Sequence, residues 1–250
     1  AGISDVLSKN GYQLLLANTN NDIAEELKYL NLFKDRQVDG ILFIATILTA
    51  RHKKLLKACQ VPVVILGQHL DGYSCVYHDD YHAAEQITEL LLEYGKVPGF
   101  IGVTTKDEAA GLNRKKGFEA AVRTKKLDCP PERMAEAQFT MESGYEKMKE
   151  LLKREPKIDA VFCATDNIAI GAMRYLKEIG KSIPHDVELA GIGDTPLAGL
   201  VEPALATVHL HYKTAGAEAA AMLVEHMEKE DAVSRELKMG FEIKKKASVL

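Results

Sequence analysis

The sequence predicts an α/β fold of two doubly wound lobes, each a parallel sheet with helices on both faces. Three observations carry it. Short aliphatic runs such as Val38-Asp39-Gly40-Ile41-Leu42-Phe43-Ile44 and Ala160-Val161-Phe162-Cys163-Ala164 recur along the chain, and such runs read as strands buried on both faces. Segments with apolar residues at helical spacing alternate with them, the pattern of sheets wrapped by crossover helices. The series runs twice, and 250 residues accommodate two lobes of roughly 100–150 residues each.

Taken in order, Gly2–Leu7 looks helical and has no strand before it. A doubly wound lobe opens with a strand, so the N-terminal strand is expected to be missing here. Gly11–Ala17 reads as a strand, Asn18–Asp22 as a polar turn, and Ile23–Asp35 as a helix with apolar residues at 23, 27, 30 and 33. Strand 38–44, a helix over 51–59, strand 61–66 and a helix over 80–94 complete the first series. In the second, Phe100–Val103 is a strand and Leu112–Lys125 a helix. Ser143–Arg154, Ile168–Ile179 and Thr214–Glu228 read as further helices, with Ala160–Ala164 and Glu188–Ile192 as strands. Right-handed crossovers place every strand-to-helix loop at one end of each sheet, where open α/β sheets bind ligands.

Composition excludes several classes. The net charge of −4 leaves no global footprint for nucleic acid. Arg114-Lys115-Lys116 and Lys244-Lys245-Lys246 read as solvated surface, with a second reading open for Arg114. No apolar run approaches the roughly 18 residues that span a bilayer, and AGISDVLSKNGYQ lacks the plan of a signal peptide. The four cysteines, Cys59, Cys75, Cys129 and Cys163, contain no C-x-x-C pair, so reduced structural thiols in a cytoplasmic protein are expected.

The polar residues gather where strands end. Asn18-Thr19-Asn20, Ala45-Thr46, Gly67-Gln68-His69, His78-Asp79-Asp80, Thr104–Glu108, Thr165-Asp166-Asn167 and Gly193-Asp194-Thr195 each follow a strand. Asp and Asn cap helices, so any single one has a structural explanation. A whole rim of hydroxyl, amide and carboxylate groups also suits a polyhydroxylated ligand. Arg114, early in its helix, is either a surface arginine or a planar fork reaching toward ligand oxygens.

Other chemistries lack their marks. There is no glycine-rich phosphate loop and no G-x-S-x-G elbow. His78 and His82 have helical spacing for a metal, but His78 precedes the helix and no H-E-x-x-H is present. Asp79-Asp80 and Asp107-Glu108 are neighbours in sequence, whereas glycoside hydrolysis needs carboxylates flanking a bond. An enzyme is therefore not expected.

The order of motifs resembles the effector-binding core of the LacI/GalR family of bacterial transcription regulators. The stretches that carry it are GISDVLSKNGYQLLLANTNND, QVDGILF, DDYHAAEQITELLLEYG, DEAAGLNRKKGFEAAV and CATDNIAIGAMRYLKEIGKSIPHDVELAGIGDTPLAGLVEPALATVHLHYKTAGAEAAAML. The resemblance implies a periplasmic-binding-protein-like fold of two lobes joined by three crossovers, with a sugar between them. The expected lobes are 1–95 plus about 210–237, and 96–209 plus about 238–250. It further implies that Asp80, Arg114, Thr165 and Asp166 contact the effector. Where the family has two acidic or amide residues after the next strand, this chain has Gly191-Ile192-Gly193-Asp194, so Asp194 or Thr195 serves instead. Thr46 and Gln68 join the candidates as strand-end groups. The G-I-G-D-T variant with its following H-L-H-Y-K-T looks like the branch of sucrose or trehalose regulators.

The expected function is therefore a sugar-responsive regulator core, a repressor, without cofactor or metal. It would bind a disaccharide or sugar phosphate, act as a homodimer, and reach operator DNA only through a headpiece missing from this chain. A solute-binding protein of a sugar transport system is the alternative, sharing the architecture.

Overall fold

A computed structural model describes residues 1–35 and 38–250. Gln37, which opens the stretch QVDGILF, lies outside the described residues. The chain divides into two units, Ala1–His78 with His211–Met239, and Asp79–Leu210 with Gly240–Leu250. It thus passes between units three times. The first passage falls after His78 and not after residue 95. The helix that follows packs on the second unit's aromatic core, with Ala83, Ala84, Ile87 and Leu91 in one cluster with Phe100, Phe118 and Phe162.

In the first unit, α1 (Gly2–Lys9), α2 (Ile23–Asp35), β1 (Ile41–Ile44), α3 (Ala50–Ala58), β2 (Val63–Leu66) and β3 (Ser74–His78) follow one another. The second unit then runs through α4 (Asp80–Leu91), β4 (Pro98–Gly102), a π-turn (Glu108–Asn113) and α5 (Arg114–Thr124). It continues with β5 (Met134–Glu136), α6 (Met141–Arg154), β6 (Ala160–Cys163), α7 (Asp166–Glu178), β7 (Glu188–Ala190), α8 (Pro196–Leu200) and β8 (Thr207–Leu210). The chain returns to the first unit for α9 (Tyr212–Glu228) and β9 (Glu236–Met239), and ends in the second with β10 (Phe241–Lys244). Among the described residues no helix is long and apolar enough to cross a membrane.

The first sheet has the order β1-β2-β3-β9 and is parallel throughout. Ile41 and Phe43 pack toward α2 and α3, whereas Leu42 packs toward α9 with Val64 and Leu223. The second sheet is parallel in the order β5-β4-β6-β7. A bridge from Ala190 to Ala206 continues it toward β8, which β10 joins antiparallel. Both faces of these sheets are covered, which is why their strands read as unbroken aliphatic runs.

One expected strand is absent. Gly11 lies in a turn with φ 78°, and residues 12–17 belong to no helix and no ladder among the described residues. A strand exists only where a neighbour accepts and donates its backbone bonds, and no described segment pairs with this one. Four short strands went unexpected, β5, β8, β9 and β10. They are three or four residues long, and pairing rather than periodicity defines them.

Helices α6 and α7 cross at glycines. A Cβ on Gly171 would lie 1.9 Å from the Met141 carbonyl oxygen, and one on Gly144 2.2 Å from that of Ile168. Backbone meets backbone there, so no rotamer change relieves the clash. Gly171→Ala is expected to lower stability to chemical denaturation by about 2–3 kcal/mol, the upper range for overpacking, although alanine favours the helix.

Candidate functional site

The second unit builds its polar corner from the carboxyl ends of β4, β6 and β7. After β6, the Thr165 hydroxyl accepts from the Ile168 backbone N–H at 3.4 Å and caps α7. Asp166 is thereby released from capping and turns inward, 1% exposed. Its Oδ1 accepts from the Thr207 hydroxyl at 2.5 Å, and its Oδ2 from the Thr195 backbone N–H at 2.7 Å. One carboxylate thus ties α7 to β8 and to the loop after β7.

Thr207 extends the network. Its oxygen accepts from the Asp194 N–H at 3.2 Å. Asp194 has a positive φ of 46° and follows Gly193 at φ 143°, a backbone that glycine adopts without strain. The Asp194 carboxylate meets His209 Nδ1 at 3.0 Å and Lys246 Nζ at 2.8 Å. Burial pulls its pKa up, but the bonds and charges of Lys246 and His209 prevail and leave it below the ordinary carboxylate range.

Arg114 is buried, 6% exposed, which rejects the surface reading of this residue. Its Nε and Nη2 both donate to Asp80 Oδ1, at 2.7 and 2.6 Å, and its Nη1 donates to the Ala164 carbonyl at 2.5 Å. The π-turn Glu108–Asn113 delivers it there. Asp107 caps that turn by accepting from the Ala110 N–H at 2.9 Å. Burial raises the pKa of Asp107 despite that bond and the Arg114 charge. Asp79, not Asp80, caps α4, accepting from the His82 N–H at 3.4 Å. Asp80 is left free of capping to hold Arg114.

Five candidates, Asp80, Arg114, Thr165, Asp166 and Asp194, therefore come together in one unit. The Arg114 bond to Ala164 joins the guanidinium to the turn that carries Thr165 and Asp166. Thr46 and Gln68 form a separate pair in the first unit. The Gln68 amide donates to the Thr46 carbonyl, and the Thr46 hydroxyl donates to Asn21 Oδ1 at 2.9 Å. Thr207, Lys246 and Asp107 were missing from the sequence candidates. Thr207 lies inside an apolar strand, and Lys246 sits in a basic run that reads as surface. Asp107 carried a signal, a carboxylate two residues past a strand-end Thr-Thr, but its partner is set by the π-turn. His82 and His78 do not share a site: His82 Nδ1 meets Asp79 at 2.9 Å, while the His78 ring packs edge-on against Tyr212.

Chemically, this corner offers fixed carboxylates, hydroxyls and one oriented guanidinium. Such groups recognise ligand hydroxyls by paired acceptance and donation. Two outcomes are expected from stability measurements. Asp80→Asn strands a buried cation and should cost about 3–5 kcal/mol. Asp194→Asn should be less stable than the parent near neutral pH, with the gap closing on acidification. A depressed carboxylate stabilises above its unfolded pKa and loses that contribution as pH falls through its folded value.

Comparison with known proteins gives a consistent picture. Residues 89–249 match the periplasmic binding protein-like domain family. The sucrose operon repressor of Staphylococcus xylosus is 31% identical over 245 residues, covering 96% of this chain and 75% of that protein. Catabolite control protein A of Priestia megaterium is 30% identical over 232 residues, covering 92% and 70%. Among solved structures, a complex of the transcriptional regulator CelR with cellobiose superposes with a TM-score of 0.91 at 27% identity, over 99% of this chain and 76% of that one. The transcription regulator CcpA of Lactococcus lactis gives 0.91 at 28%, over 100% and 92%.

Proposed function

The chain belongs to the LacI family of transcriptional regulators, within the periplasmic-binding-protein-like fold, and from that membership we propose that it is the sugar-sensing core of a repressor. Its effector is a disaccharide or a sugar phosphate. The intact protein works in the cytoplasm as a homodimer, and it meets operator DNA through a headpiece outside these residues. It binds its sugar without turnover. The curated relatives are an operon repressor and a catabolite control protein, which favours regulation over transport.

The observation that carries the sugar reading is the held guanidinium of Arg114. Asp80 and the Ala164 carbonyl fix its plane, so a sugar oxygen meets a fork that is already oriented and loses little entropy in being bound. Thr165 and Asp194 are the hydroxyl and carboxylate groups beside it. Asp166 acts mainly by holding the loop of Thr195 in place. Thr46 and Gln68 are the first unit's candidate contacts. Binding changes operator affinity only through a difference in sugar affinity between two conformations, and contacts drawn from several elements are the means of that difference.

A thermal-shift panel of sucrose, trehalose, cellobiose, ribose and a hexose phosphate tests this. At one hundred times Kd, a true effector adds about 2.7 kcal/mol, roughly 5–10 °C for a chain of this size. Arg114→Lys keeps the charge and loses the fork, and should weaken the effector at least tenfold while circular dichroism stays unchanged. Failure of every sugar to shift the transition, or chemical conversion of a sugar that does, would overturn the reading.

A further inference from the structure

The first unit contains a buried titratable pair that takes no direct part in holding a sugar. His52 of α3 is fully buried, and Glu26 of α2 is 4% exposed. The imidazole Nε2 lies 3.1 Å from Glu26 Oε2. On the other side of the ring, Nδ1 accepts from the Thr49 backbone N–H at 3.2 Å, with the Thr49 hydroxyl 2.9 Å away. That hydroxyl in turn accepts from the His52 backbone N–H at 3.3 Å. The two residues thus cap each other at the start of α3.

This capping box has an unusual member. Its third helical position is commonly Glu or Gln, whose oxygen stays an acceptor at physiological pH. Here the acceptor is a ring nitrogen, on the side chain that gains a proton closest to neutrality. A backbone N–H can only donate, so Nδ1 carries the lone pair and the neutral ring keeps its proton on Nε2, facing Glu26. A second proton on the ring sets N–H against N–H at Thr49 and removes the bond.

The groups around the ring oppose one another. Glu26, from α2, favours the cation. Arg51 and Lys53, exposed neighbours on α3, disfavour it, and β1 presents the uncharged ring of Phe43, with centroids 5.6 Å apart. Burial pushes the His52 pKa down, while burial and then the Asp22 charge push that of Glu26 up. A histidine held below its unfolded pKa loses its contribution to stability as pH falls from the ordinary histidine range through the folded value. The bond lost with it is the one that ties down Thr49.

Thr49 closes the loop that joins β1 to α3, and the same loop carries Thr46. At the β1 end, the Thr46 hydroxyl donates to Asn21 Oδ1 and the Gln68 amide donates to the Thr46 carbonyl. Those fastenings use amide groups that do not titrate. At the α3 end the fastening is His52, which a proton can undo.

We propose that His52 is a positioning residue and proton switch for this loop: the neutral ring holds Thr46 in place for the ligand, and the protonated ring frees the loop and weakens sugar binding. The effect on sugar rests on the reading of Thr46 as a ligand contact, whereas the effect on the loop does not.

The test follows the Thr46 and Thr49 amide signals and the His52 ring signals by NMR from about pH 8 to about pH 5, the span over which histidine charges. The amide signals are expected to move with the ring, at a midpoint below the ordinary histidine value of about 6.5. Glu26→Gln removes the carboxylate that favours the cation and should move that midpoint to lower pH. His52→Gln accepts from Thr49 through its amide oxygen and does not titrate, so its Thr49 signal should hold still. In the same buffers, the Kd of a sugar found by the thermal-shift panel should rise about fivefold or more on acidification, the low end of coupled equilibria, and His52→Gln should lose that rise. Thr49 signals that do not follow the ring overturn the proposal. So does an equal rise in Kd in the parent and in His52→Gln. If no sugar in the panel binds, the regulatory reading fails, and the amide titration alone decides whether His52 switches the loop.

Discussion

Arg114 sits where an unpaired cation could not stay. Taking a guanidinium out of water costs several kcal/mol unless a counter-charge and well-placed acceptors replace the lost solvent. Asp80 supplies the charge from the first turn of α4, and the Ala164 carbonyl supplies a further acceptor at the end of β6. That requirement joins three parts of the second unit: the start of α4, the junction of the π-turn with α5, and the β6–α7 turn. The aromatic stack of Phe100 and Phe118, with ring centroids 5.0 Å apart, fixes α5 on the sheet below. The polar pair then has little freedom to adjust, and the geometry of the corner follows from it.

A second buried carboxylate, at the start of α7, does related work. Asp166 takes two short hydrogen bonds, from Thr207 and Thr195, and so sets the loop after β7. Through Thr207 it reaches the backbone of Asp194, whose own carboxylate is held by His209 and Lys246. Thr165 takes over the cap of α7, which leaves Asp166 available for this bracing role. Local capping and tertiary bracing are thus divided between adjacent residues, as they are between Asp79 and Asp80 at the start of α4.

Much of this was legible in the sequence because it depends on local pattern. Helices α2, α6 and α7 follow from their apolar spacing and the polar residues just before them, Asp22, Thr140 and Thr165, and β2 and β6 from aliphatic runs between turns. The strand ends could be read as polar, and Arg114 could be singled out by its place after a loop. The two roles open to Arg114, surface or clamp, were separable only by burial. Lys246 shows the converse. A lysine in a run of three reads as surface, and its contact with Asp194 arises because the chain returns to the second unit for β10.

By itself the sequence determined the alternation of strand and helix, the two-unit plan and the family. Those rest on periodicity and ordered motifs, which are carried by residues near one another along the chain. Tertiary structure decided which polar groups meet. Asp80 and Arg114 are 34 residues apart, Asp166 and Thr207 41, and Asp194 and Lys246 52. It also decided that Gly11–Ala17 joins no ladder among the described residues. A ladder is a relation between two backbones, and no pattern within one segment can supply the second.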